Sequence, residues 1–198
     1  FSTVYLTPGA QTYTLHAHLS WYGLFRKFCR LGQRVSILGQ HGVGKTTLLA
    51  TLIQQWQGFL PENSKVLVYR VGQNGGQSVL KLSPRIAPGG KCLTILVPKQ
   101  SLPFKELLQT VQPESVIVID GYDAWSWWEQ KRILRRTSRC HAGLIVTSHK
   151  SSKLPPLLQI APEFQDFVDL VNRWHPTVGH IERSLLQNVW NRRRGNLR

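Results

Sequence analysis

Residues 34–47 read RVSILGQHGVGKTT: an apolar run, a glycine-rich loop, then a lysine and two threonines. Within it stands Gly39-x-x-x-x-Gly44-Lys45-Thr46, the spacing of a phosphate-binding loop set between a strand and a helix. Gly39, Gly42 and Gly44 let the backbone take turns closed to bulkier residues, so successive N–H groups converge on an anion. The helix that follows offers its positive N-terminal end to the same charge. Lys45 is placed to reach the β- and γ-phosphates of a nucleotide, and the Thr46 hydroxyl to ligate Mg²⁺. Gln40, His41, Val43 and Thr47 complete the cradle. A glycine-rich turn that binds nothing would explain the glycines, but not Lys45 and Thr46 at these offsets.

Working outward, the chain alternates strand-like and helix-like runs. Apolar residues at helical spacing predict a helix within 18–31, ahead of a strand at 34–38. A helix follows the loop from Lys45 to Gln57. Strands are expected at 65–71, 92–97, 116–119 and 144–146, and short extended pieces at 3–6, 12–15 and 80–82. Helices are expected at 103–111, with Pro103 suited to a first turn, and at 127–139. Ser126 and Glu129 are spaced as a capping box for the second of these. Two more helices are expected at 163–173 and 181–191. This order predicts an α/β fold with a doubly wound, mostly parallel sheet, helices on both faces and a small helical lid at the C-terminal end. Three segments are expected: an N-terminal extension and helix (1–31), a nucleotide-binding core (32–155) and an incomplete helical lid (156–198). Pro155-Pro156 reads as the break where the sheet ends.

Residues 114–120, ESVIVID, run from polar to fully apolar and end on an acid, the Walker B pattern. At the carboxyl end of a buried strand, Asp120 would sit beside the loop and hold Mg²⁺ together with Thr46. Many P-loop ATPases carry Glu next, to activate the attacking water; here the residue is Gly121, followed by Tyr122 and Asp123. Asp123 can serve the water, or it can cap the next helix, a common place for Asp. In the run LIVTSH (144–149), Thr147 stands at a strand's carboxyl end, where open parallel sheets bind ligands. It is a candidate for the γ-phosphate or its water.

Composition narrows the partners. The 198 residues carry 25 Lys and Arg against 10 Asp and Glu, a net charge of +15. Charge of that size concerns partners rather than fold, and makes nucleic acid a candidate. No apolar run reaches the length of a membrane span. No export signal is read at the start. Cys29, Cys92 and Cys140 are unclustered and odd in number, which fits a reducing cytoplasm better than disulfides or zinc. His16 and His18 lack a nearby ligand partner and are read as surface residues. The sequence contains no methionine and ends inside a motif-like run, so it is read as a piece of a longer protein.

Together these pieces resemble the P-loop ATPases, and among them the AAA+ group; the Asp-Gly-Tyr after Walker B also resembles small bacterial ATPases of unassigned role. That resemblance matches Gly39 to Thr46 to Walker A and puts Thr147 at the position called sensor 1. It reads Arg194-Gly195-Asn196-Leu197-Arg198 as sensor 2, with Arg198 meeting the γ-phosphate from the lid. It further implies ATP as the nucleotide, a homo-oligomer, and an arginine finger among Arg135, Arg136 and Arg139. The same helix carries Trp125, Trp127, Trp128, Lys131 and Arg132. Interleaved in this way they fit base stacking, although a buried Trp face with a solvated basic face is the plainer reading. The function expected is an ATPase that couples Mg-ATP binding and hydrolysis to conformational change on nucleic acid or a protein, with hydrolysis slowed by Gly121. The alternatives are a nucleotide switch that does not hydrolyse, or a small-molecule kinase using Arg135 and Arg139. No carboxylate for a kinase acceptor site follows the loop before Glu62, and no Asn-Lys-x-Asp guanine motif occurs.

Overall fold

The computed structural model describes residues 12–16, 18–61, 64–71, 94–96, 103–161, 163–174 and 182–193. Six parallel strands form one sheet in the order β3-β2-β4-β5-β1-β6. They are β1 (Arg34–Gly39), β2 (Lys65–Arg70), β3 (Thr94–Leu96), β4 (Val116–Asp120), β5 (Gly143–Ser148) and β6 (Pro156–Ile160). The helices are α1 (Trp21–Arg30), α2 (Lys45–Trp56), α3 (Phe104–Thr110), α4 (Trp127–Arg139), α5 (Phe164–Trp174) and α6 (Arg183–Arg193).

Alternation along β4 sorts the core into two layers. Val116 and Val118 face the cluster built by α1 and α2, with Phe28, Leu48, Leu52 and Trp56. Ile117 and Ile119 face the opposite cluster, where Leu107 of α3 and Ile133 of α4 pack. A parallel sheet covered on both faces explains why every residue of β4 and β5 is buried.

Three expectations require correction. Residues 156–198 were expected to be helical throughout, yet they open with β6, which pairs in parallel with β1. Pro156 is the strand's first residue and β6 is an edge, the two settings in which a strand tolerates proline. Pro155 contributes its carbonyl, which accepts from Ser36 N at 3.0 Å. Residues 12–16 form no regular strand. Instead Tyr13 N donates to Thr51 Oγ1 of α2 at 2.9 Å, tying this stretch to the helix behind the phosphate loop. Its phenol is pushed up to about 12 by burial, with the charge of Asp166 adding to the effect. The plainer reading of α4 also fails: only Trp125, just ahead of the helix, is buried, while Trp127 and Trp128 are 48% and 66% exposed. The extended pieces expected at 3–6 and 80–82, and Cys92, lie outside the described residues. Cys29 and Cys140 carry free thiols.

α4 begins as its sequence predicts. Ser126 Oγ accepts from Glu129 N at 3.3 Å, and Glu129 Oε2 accepts from Ser126 N at 2.8 Å, closing the capping box. No helix among the described residues is long and apolar enough to cross a membrane.

Candidate nucleotide site

Strand order assembles the site. β5 lies between β1 and β4, with Leu38 opposite Ser148 and Ile119 opposite Val146. The loop after β1, Thr147 on β5 and Asp120 on β4 therefore meet at one edge of the sheet, where the strands present their carboxyl ends.

In the loop, Gly42 and Gly44 adopt φ of 80° and 93°, the left-handed region that favours glycine. Gly39 is required for a different reason. A Cβ there would stand 2.9 Å from Val43 Cγ2 and 3.0 Å from the Ile160 carbonyl. Close approach, not φ, keeps this position bare. Lys45 is buried, and its ammonium donates to the carbonyls of Gly39 and Gln40, each at 2.6 Å. Thr46 and Thr47 open α2 behind it.

The Asp120 carboxylate accepts from two threonines. Thr46 Oγ1 donates to Oδ2 at 2.9 Å, and Thr147 Oγ1 donates to Oδ1 at 2.6 Å. Thr147 Oγ1 in turn accepts from Gly121 N at 2.9 Å. Gly121 has φ of 86°, and a side chain there would stand 3.3 Å from the Val71 carbonyl. A Glu at this position would be strained. The left-handed turn that excludes it is what aims the Gly121 amide at Thr147.

Asp123 does not cap α4, because Ser126 does. It lies in a 3₁₀ turn, Tyr122–Ala124, and its Oδ2 meets His149 Nδ1 at 2.8 Å. Burial pushes the Asp123 carboxyl up. The hydrogen bond from His149, backbone amides and the nearby imidazole outweigh that and hold it below the ordinary carboxylate value. A carboxylate only accepts, so the shared proton sits on Nδ1, and a neutral His149 then presents Nε2 as an acceptor. The His149 ring also stacks on His41 of the phosphate loop, centroids 3.4 Å apart and planes 23° from parallel. Sequence reading passed over His149 as a functional residue. Its signal was its place just past β5, beside Thr147.

A cleft of about 670 Å³ opens alongside, lined by Gly39, Gln40 and Val43 of the loop, His149, Ile160 and, from α6, Trp190 and Asn191. Trp190 is held by Phe164 and Phe167 of α5, at centroid distances of 6.2 and 5.8 Å. Arg198 lies outside the described residues. Among the arginine-finger candidates, Arg136 is turned onto its own chain, donating to the Leu108 and Val111 carbonyls at 3.1 and 3.3 Å.

The site's donors fit Mg²⁺, a hard cation that takes one or two carboxylates and keeps several waters. Asp120 and the Thr46 hydroxyl stand side by side at the loop, and both are oxygen donors.

Similar solved structures include RuvB from Thermotoga maritima, 14% identical, at a TM-score of 0.49. That likeness covers 91% of this chain but 59% of that one. The DNA-packaging ATPase of Sulfolobus turreted icosahedral virus is 15% identical with a TM-score of 0.41, covering 81% of this chain and 87% of that one. PCH-2 from C. elegans is 13% identical with a TM-score of 0.41, covering 79% and 41%. Identities this low say nothing of activity. No curated protein sequence gives a significant match. The family model of the NACHT domain matches residues 33–169, the span that holds all six strands, the phosphate loop, Asp120 and Thr147, and the chain belongs to this family of P-loop NTPases.

Proposed function

We propose that the protein is a Mg-ATP hydrolase whose nucleotide state is read by the α5–α6 pair. The observation that carries this reading is the hydrogen-bonded set Thr46–Asp120–Thr147, with the Asp123–His149 pair beside it. Lys45 exchanges the Gly39 and Gln40 carbonyls for phosphate oxygens, an exchange favoured because a full anionic charge replaces two neutral acceptors. Thr46 and Asp120 would hold Mg²⁺, which when bound screens the phosphate charge. Thr147 keeps the Asp120 carboxylate in one orientation. Gly42 and Gly44 leave the loop amides free to point inward.

The group that takes a proton from the attacking water is, in this reading, His149 Nε2. Asp123 fixes its tautomer and favours the imidazolium that forms, replacing the Glu absent at position 121. α6 lines the cleft through Trp190 and Asn191, so a nucleotide's presence or loss reaches the helical pair directly. ATP as the base and a homo-oligomeric assembly follow the family likeness.

The test is phosphate release from Mg-ATP. Lys45→Ala is expected to lower kcat/KM by about a hundredfold or more. His149→Phe and Asp123→Asn should lower kcat by about 10²–10⁴ with KM little changed, since general-base help acts in the transition state. Nucleotide binding that depends on Lys45, with no turnover in the wild type, would overturn hydrolysis and leave a switch. Unchanged kcat in both dyad variants would remove His149 and Asp123 from the mechanism.

A further inference from the structure

α4 carries a surface that the nucleotide site does not use. Trp127 and Trp128 project from its first turn, packed edge to face with centroids 4.6 Å apart. An exposed indole pair is costly to leave in water, and here it is ringed by cations. Lys131 Nζ lies 4.5 Å from the Trp127 centroid and 5.9 Å from that of Trp128. Lys153, from the loop after β5, lies 5.8 Å from Trp127. Two lysines from separate segments therefore converge on one indole, leaving Trp128 the more open ring.

The charge on this helix is one-sided. Lys131, Arg132, Arg135, Arg136 and Arg139 face a single acid, Glu129. Glu129 is turned to the helix start, where its Oε2 accepts from Ser126 N and Ser126 Oγ at 2.8 and 2.7 Å. It does not neutralise the lysines. The whole chain, at +15, has the same sign.

We infer that the α4 surface is a docking site for single-stranded nucleic acid, with a base stacked on Trp128 and the adjoining phosphates met by Lys131 and Lys153. Trp127 holds both ammonium groups in place by cation–π contact. An aromatic platform flanked by cations is what a strand with exposed bases requires, whereas a duplex buries its base faces and offers only phosphates. The surface is also joined to the nucleotide site. Gln130 Nε2 donates to the Trp125 and Tyr122 carbonyls at 2.9 and 3.3 Å, locking the turn that follows Asp120 onto α4. The inference does not depend on hydrolysis, because binding is measured without nucleotide.

The experiment is fluorescence anisotropy of a labelled oligodeoxythymidylate titrated with the chain across a series of salt concentrations. Trp128→Ala should weaken binding by about five- to a hundredfold at fixed salt and leave the salt slope unchanged. Trp128→Tyr should recover most of the loss. Lys131→Ala should lower the slope of log K against log salt by about one phosphate's worth, roughly 0.7. The duplex should bind more weakly than the single strand. Equal affinity of Trp128→Ala and wild type would overturn the inference. So would a duplex bound as tightly as the single strand, or binding to anionic vesicles with none to the oligonucleotide. If Trp128→Ala fails to fold, Trp128→Tyr and the Lys131→Ala slope decide the matter alone.

Discussion

Thr147 is 1% exposed, and its single hydroxyl satisfies two groups: it donates to Asp120 and accepts from the Gly121 amide. Thr147→Val keeps the shape and removes both bonds, taking the acceptor from the half-buried Gly121 amide and one of its bonds from the Asp120 carboxylate. The expected cost is about 1–3 kcal/mol, read from chemical denaturation. Thr147→Ser should restore most of it, and a Thr147→Val protein as stable as wild type would remove the hydroxyl from the network. Asp123 calls for a pH test. Its folded-state pKa lies below the ordinary 3.8, so ionising it favours the fold. That contribution is fully present above the unfolded value and is lost as pH falls through the lower folded value. The stability gap between wild type and Asp123→Asn should therefore close as pH falls through the carboxylate range into stronger acid. A gap unchanged down the acid limb would assign the substitution's effect to packing instead.

At the scale of elements, α4 links the acidic turn to the basic surface, and its start is held by the capping box. Ser126→Ala removes the acceptor for Glu129 N and one donor to the Glu129 carboxylate. The expected loss is about 1 kcal/mol, seen as a lower denaturation midpoint with an unchanged slope. The β4–turn–α4 unit shows what was readable in advance. The apolar run ending in Asp120 and the Ser126-x-x-Glu129 spacing both involve near neighbours in the chain, and local physics sets them. β6 was not readable in that way. Its prolines are a local signal to stop, overridden by pairing with β1 more than a hundred residues earlier.

For the whole molecule, binding to the folded state alone is linked to stability. Mg-ATP at a hundred times its Kd should add about 2.7 kcal/mol, a rise in Tm of about 5–10 °C for a chain of this size. Differential scanning fluorimetry should show that rise in wild type and lose it in Lys45→Ala. A Tm indifferent to Mg-ATP in the wild type would count against nucleotide binding altogether.

The amino-acid sequence by itself determined the parts that depend on near neighbours. These are the phosphate loop from Gly39 to Thr46, the acid closing β4, the cap of α4 and the surplus of positive charge. The loop glycines, the lysine and the first residues of the helix behind them fall within the eight residues from Gly39 to Thr46, so their chemistry is fixed by backbone preference and spacing alone. Tertiary structure decided which distant groups face one another. Asp120 meets Thr46 across 74 residues, and Asp123 meets His149 across 26. Those meetings depend on β5 being inserted between β1 and β4, an order selected by burial on both faces of the sheet rather than by any local run. The same cause exposed Trp127 and Trp128: Ile133 and Thr137 fill the buried side of α4, and the indoles are left on the side facing water.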